Sequence, residues 1–214
     1  AADMIARGYF SHWNPEGLGP DHRYSAAGGR YTSMENLHAF SYTYADGRGA
    51  PVEDWQTVIV NAQSGLMESL GHRANILHPA HTHVGIGMAY DPVSGHFRLA
   101  QEFTNQHAEL SLPLPTEARP GDNIRIAGVF GPGAIGNAIL DLAYEPFPAP
   151  LSLDELAART TYSSPAESVD TRAIGLTFDE TLTLPDPPGY YHVRLFVDLL
   201  TGQAVVVNQV IAVR

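Results

Sequence analysis

The chain has 214 residues and carries 12 arginines and no lysine against 23 acidic side chains, for a formal net charge of -11. That balance repels phosphate backbones and anionic membrane surfaces and so argues against nucleic acid as a partner. The absence of cysteine removes disulfides, thiolate catalysis and cysteine zinc sites, and no apolar run reaches the 18 residues of a membrane-spanning helix.

The length suits two units of about 100 residues, each able to bury its own core. Residues 1–8 contain helix formers with Met4 and Ile5 on one side and Gly8 as a C-terminal cap; they read as the later part of a helix, from which a segment upstream has been removed. Tyr9 to Pro15 is an aromatic-rich exit that carries His12. Residues 16–33, with five Gly or Pro positions, have loop composition with room for one short helical turn. Met34-Glu35-Asn36-Leu37 reads as a compact polar-apolar step, and the chain is again glycine-rich and polar from Phe40 to Pro51.

Val52, Trp55, Val58, Ile59, Ala62, Leu66 and Leu70 recur at spacings of mostly three and four, which predicts a helix over 52–70. Gly71 should end that helix, placing His72 and Arg73 directly after it, where the macrodipole favours a cation. Val84 to Tyr90 and His96 to Phe103 predict an antiparallel hairpin around the turn Asp91 to Gly95.

The character changes at Glu109. Pro113, Pro115 and Pro120 mark residues 109–121 as a stiff, extended linker. Beyond it, alternating apolar residues recur between Gly and Pro clusters, which predicts an all-β sandwich over 122–214. Nine of the ten histidines lie at or before position 107, so a site belongs to the unit spanning 1–108.

Three separated places supply its polar groups: His12, Glu35 and His72. Two imidazoles and a carboxylate bind a divalent metal with open positions for water, or hold one another by hydrogen bonds without metal. The plainer readings are a His12 packed beside Trp13, a Glu35 bonded to backbone amides, and a His72 placed by the macrodipole alone. Arg73 and Asn75 close the corner through backbone groups. His78, His81 and His83 read as imidazoles of a proline-containing loop rather than a second metal cluster. Ser11 and Ser69 each stand near a histidine, but neither has a glycine-flanked nucleophile elbow, which argues against a serine hydrolase.

Five segments, in this order and approximate spacing, carry a resemblance: Phe10-Ser11-His12, Met34-Glu35-Asn36, Ser69-Leu70-Gly71-His72-Arg73-Ala74-Asn75-Ile76-Leu77, Val84-Gly85-Ile86-Gly87 and Gln101-Glu102-Phe103. Across residues 3–105 the chain resembles the CAP superfamily, or SCP domain, of cysteine-rich secretory, antigen 5 and pathogenesis-related 1 proteins, and looks like its bacterial branch. The resemblance implies an α+β fold, a three-layer α-β-α sandwich whose opening helix precedes Ala1; an immunoglobulin-like sandwich follows it as an accessory unit. It also implies export to the cell envelope or beyond, and a cavity lined by histidines and glutamates.

By motif, His12 matches the first cavity histidine and Glu35 the first glutamate, with Asn36, Ser69, Arg73, Asn75 and Gln101 in support. Met34, Leu70 and Arg98 replace the usual glycine, proline and second histidine, Ser69 stands where the second glutamate falls, and His72 supplies the other imidazole. The implied ligand is zinc, held by His12 and His72, or a small, lipidic or cell-surface molecule. A binding protein without turnover is the first expectation. The rivals are a zinc-assisted peptide or ester hydrolase with Glu35 as general base, and a structural surface module with a vestigial cavity.

Overall fold

The computed structural model describes residues 1–165 and 167–214. It is a mixed α+β chain in which strands predominate. Helix α1 (Ala2–Ala6) closes through Gly8 N–H to the Ile5 carbonyl at 3.3 Å and Tyr9 N–H to the Met4 carbonyl at 3.0 Å. This paired closure requires a left-handed residue, and Gly8 supplies it at φ 70°. Helix α2 (Pro20–Ala26) is the short turn expected in the glycine-rich loop, opened by a proline that has no N–H to lose.

The polar-apolar step at 34–37 lies inside a nine-residue strand, β1 (Ser33–Ser41), which corrects the expected step and loop. Its polar Glu35 and Asn36 are buried on opposite faces, so the apolar alternation that announces a strand is missing. Helix α3 (Trp55–Glu68) is capped by Asp54, whose carboxylate accepts from Thr57 N–H at 3.1 Å, and buries Val58, Ala62 and Leu66.

The expected end at Gly71 is also corrected. Ser69, at ψ 123°, interrupts the helix, and a second one, α4 (Leu70–Ile76), runs through Gly71-His72-Arg73. His72 therefore occupies a first helical turn, where the macrodipole disfavours a cation. Strands β2 (His83–Tyr90) and β3 (His96–Thr104) form the expected hairpin, with the Asp91 carboxylate accepting from the Val93 and Ser94 N–H groups in its turn. The sheet order is β1-β3-β2. Met4, Tyr9, Leu37 and Ala100 pack on one face, and Val58, Ala62, Leu66, Phe97 and Leu99 on the other.

The second unit contains β4 (Ala108–Leu110), β5 (Glu117–Ala118), β6 (Asn123–Phe130), β7 (Ala134–Glu145), α5 (Leu153–Ala158), β8 (Ser168–Ile174), β9 (Thr177–Thr183), β10 (Gly189–Leu199) and β11 (Gly202–Val213). One sheet has the order β5-β11-β10-β7-β8 and the other β4-β6-β9. They share a core that includes Ile126, Leu182, Leu140, Val193, Leu195 and Ile211. The proline-rich stretch is extended, as its prolines dictate, but it is also paired: β4 lies on β6 and β5 on β11.

The two units are joined by backbone as well as side chains. Tyr31 bridges Val207, the Asn208 N–H donates to the Arg30 carbonyl at 3.3 Å, and the Val210 N–H donates to Ser25 Oγ at 2.9 Å. Residues 146–165 run out of the two sheets, over the first unit and back to β10 and β11. There α5, held by a Ser152–Glu155 capping box, inserts Leu156 into the Met4, Tyr9, Leu37 and Ala100 cluster.

Candidate functional site

Strand β1 is a sheet edge, and a cavity of about 730 Å³ wraps it. Because Glu35 and Asn36 are consecutive, their side chains leave β1 on opposite faces. On one face, His12 Nδ1 lies 2.8 Å from Glu35 Oε1, and Arg23 Nη2 donates to both Glu35 oxygens at 3.2 Å and to the His12 carbonyl at 3.0 Å. On the other, Asn36 Nδ2 donates to the His72 carbonyl at 3.2 Å and to Gln101 Oε1 at 3.3 Å, while its Oδ1 accepts from Asn75 Nδ2 at 2.9 Å. His12, Glu35 and His72 all line the one cavity.

Glu102 is the first residue that sequence reasoning missed. It stands directly across from Glu35 in the β1–β3 register and accepts a short hydrogen bond from Ser33 Oγ. Burial, followed by the charge of Glu35, pushes its carboxyl up to about 8. Burial works the same way on Glu35, but the His12 hydrogen bond and the Arg23 charge outweigh it and hold this carboxyl below its ordinary value. At neutral pH the pair is one carboxylate and one carboxylic acid. The signal for Glu102 was present in Gln101-Glu102-Phe103, but the register that pairs it with Glu35 is a property of the fold. Arg23, the second omission, has no motif around it.

The supporting residues divide into two groups. Asn36, Asn75 and Gln101 form an amide chain that ends at Gln63, with Gln101 Nε2 donating at 2.8 Å. Ser69 lines the cavity, whereas Arg73 is exposed on α4. Arg98 stacks its guanidinium on Phe10, 5.5 Å from the ring centre. His81 is not an exposed loop imidazole: its nitrogens lie 2.8 Å from Asn105 Oδ1 and 2.9 Å from Asn75 Oδ1, and its ring stacks on Phe103. Trp13 packs edge-on against Tyr162 rather than against His12.

A zinc ion at His12 and His72 would draw on the His12 nitrogen turned away from Glu35, an arrangement in which Glu35 is the orienting carboxylate behind a metal-binding imidazole. Burial, then the neighbouring His12, lowers the His72 pKa, which keeps that ring neutral and able to ligate. Among the described residues, however, three donor atoms within 4.8 Å of one another are gathered at His22, Glu145 and His192, and not at His12, Glu35 and His72. The cavity's own donors are thus spread around the β1 edge. Its far wall comes from the second unit, through residues 160–164, Arg194, Val205 and Asn208.

Fold and site together define an α+β chain with a cavity lined by His12, Glu35 and His72 on one side and by residues 160–164, Arg194, Val205 and Asn208 on the other. Residues 1–103 match the family model described as CAP, the cysteine-rich secretory protein family, which supports a CAP domain over that stretch. No curated protein matches the chain. No helix among the described residues is long and apolar enough to cross a membrane.

Proposed function

We propose that the protein is an exported, bacterial CAP-domain binding protein without turnover, whose cavity takes a small or lipidic ligand. In this reading the first unit is a three-layer α-β-α sandwich and the second an immunoglobulin-like module that completes the cavity wall. The observation that carries the reading is the cavity itself. Its volume of about 730 Å³ falls in the range of small-molecule sites, and apolar Met34, Pro20, Ala74 and Val205 stand beside a few polar groups gathered at β1.

The hydrolase reading is weaker because Glu35 is occupied by Arg23 and His12 and held below its ordinary pKa, which makes it a poor proton acceptor at neutral pH. Zinc at His12 and His72 is compatible with the same cavity, as an ion that joins the polar end of the ligand.

The test is titration with a fluorescent fatty acid and a fluorescent sterol, beside His12→Ala, Glu35→Gln and Ala74→Trp variants, the last of which fills the cavity. Saturable binding of either probe, weakened at least fivefold by Ala74→Trp, is expected, with no hydrolysis of activated esters or peptides. Failure of both probes to saturate, or unchanged binding in Ala74→Trp, would sink the proposal, and steady turnover would move it to the hydrolase reading.

A further inference from the structure

Where α2 meets the outer face of the five-stranded sheet, His22, Glu145 and His192 come together. His22 belongs to the first unit; Glu145 ends β7 and His192 lies in β10. Along β10 the odd residues Tyr191, Val193 and Leu195 face the sandwich core, so Tyr190, His192 and Arg194 face the other way, towards the first unit. His22 and His192 are 4% and 0% exposed. We propose that His22, Glu145 and His192 bind a divalent transition-metal cation of the zinc class and that this ion ties the two units together.

The polarity of the surrounding hydrogen bonds is the first support. The Asp21 carboxylate accepts from the hydroxyls of Tyr162 and Ser164. With its proton so committed, Ser164 Oγ accepts from Asn208 Nδ2 at 3.3 Å, which turns Asn208 Oδ1 towards His192 Nδ1 at 3.1 Å. The Nδ1 of His192 must therefore be the protonated nitrogen, and a neutral ring presents the lone pair of Nε2. That lone pair faces Glu145 Oε2 at 3.2 Å. Two acceptors at this separation repel unless a positive centre sits between them. A metal-bound imidazole normally has this arrangement, with one nitrogen donating to an oxygen behind it and the other free to ligate.

The second support is His22. Its Nε2 lies 3.1 Å from the same Oε2, yet neither of its ring nitrogens has a hydrogen-bond partner among the described residues. A buried imidazole whose one close polar neighbour is a carboxylate placed outside hydrogen-bond geometry is costly and calls for an explanation. The three donor atoms all lie within 4.8 Å of one another. At zinc–nitrogen and zinc–oxygen bond lengths near 2.0–2.1 Å, tetrahedral ligand atoms stand roughly 3.3 Å apart. The two observed nitrogen–oxygen separations, 3.1 and 3.2 Å, are close to that edge. Protonating both rings instead would set two imidazolium cations with ring centres 5.3 Å apart against a single carboxylate. Two imidazoles and one carboxylate are the donor set of borderline ions such as zinc, and they leave a coordination position for water.

The experiment uses the full chain carrying His12→Ala, which removes the cavity imidazole, so that success or failure here is separate from the cavity reading. Zinc binding is followed by calorimetry and thermal melting, cobalt(II) uptake by its visible absorption, and the histidine side chains by nitrogen NMR. One equivalent of zinc at micromolar affinity or tighter is expected, with a raised melting temperature, tetrahedral-type cobalt absorption and shifts at the ring nitrogens of His22 and His192. Adding Glu145→Gln or His22→Gln should weaken binding at least tenfold. No uptake by the folded His12→Ala protein would overturn the proposal. So would uptake unchanged in both double variants, or uptake that leaves the His22 and His192 nitrogens unshifted; this last readout stands even if the double variants fail to fold.

Discussion

Glu102 is held protonated at neutral pH by burial and by the charge of Glu35, and the stability of the chain should report this. Its pKa is about 8 when folded against 4.5 for the ordinary side chain, so between those values the folded state binds a proton that the unfolded state has released. The contribution is present in full below about pH 4.5 and is lost as pH rises through about 8, by a few kcal/mol in all. Glu102→Gln keeps the shape and the donor while removing the titration. Its denaturation midpoint should fall less than that of the unaltered chain between about pH 5 and 8.5, and parallel curves would refute the assignment. Arg23→Ala should cost about 2–4 kcal/mol in urea denaturation, because it leaves the buried Glu35 carboxylate without its cation, and Glu35→Gln in the same chain should recover part of the loss. His12 and Glu35 were legible in sequence because each sits in a short motif, and the structure brings them into contact. Glu102 and Arg23 reach the same spot through strand register and the placement of α2, which no local pattern encodes.

At the scale of elements, α3 was readable because it has one buried face and a start capped by Asp54, and the β2–β3 hairpin because Val84, Ile86, Met88 and Tyr90 alternate and Asp91 closes the turn, although Val84, Ile86 and Met88 are exposed. Strand β1 was not, because its middle buries polar residues on both faces. Helix α5 was overlooked although its Ser152-Leu153-Asp154-Glu155 start carries the capping-box pattern. That helix supports the first unit from within the second. Leu156 is 1% exposed among Met4, Tyr9, Leu37 and Ala100, and the chain that follows it forms the cavity wall at 160–164. Leu156→Ala should therefore lower stability by about 2–5 kcal/mol and also weaken the lipid probe, whereas exposed Leu153→Ala on the same helix should do neither. Loss of stability without loss of probe binding would show that the wall does not depend on α5.

For the whole molecule, composition and periodicity predict two units, and the structure joins the two parts of the chain by backbone pairing and by a helix of one packed into the core of the other. The contacts responsible, backbone pairing of residues 30–32 with 206–208 and the return of residues 146–165, have no periodicity to read. Strand β11 does record the docking indirectly. It is buried almost continuously from Ala204 to Val213 because the sandwich core covers one face and α2 lies against the other. Removing the second unit would thus expose α2's docking surface and withdraw Leu156 from the first unit's core. The two units should unfold together. Both tryptophans, Trp13 and Trp55, lie in the first unit, while most of the strand residues lie in the second, so the two can be followed separately in one sample. Tryptophan fluorescence and far-ultraviolet circular dichroism should give the same denaturant midpoint in the intact chain. Midpoints that separate would mean that the interface contributes little to either core. In that case the cavity, whose wall crosses the interface, would open before the first unit unfolds.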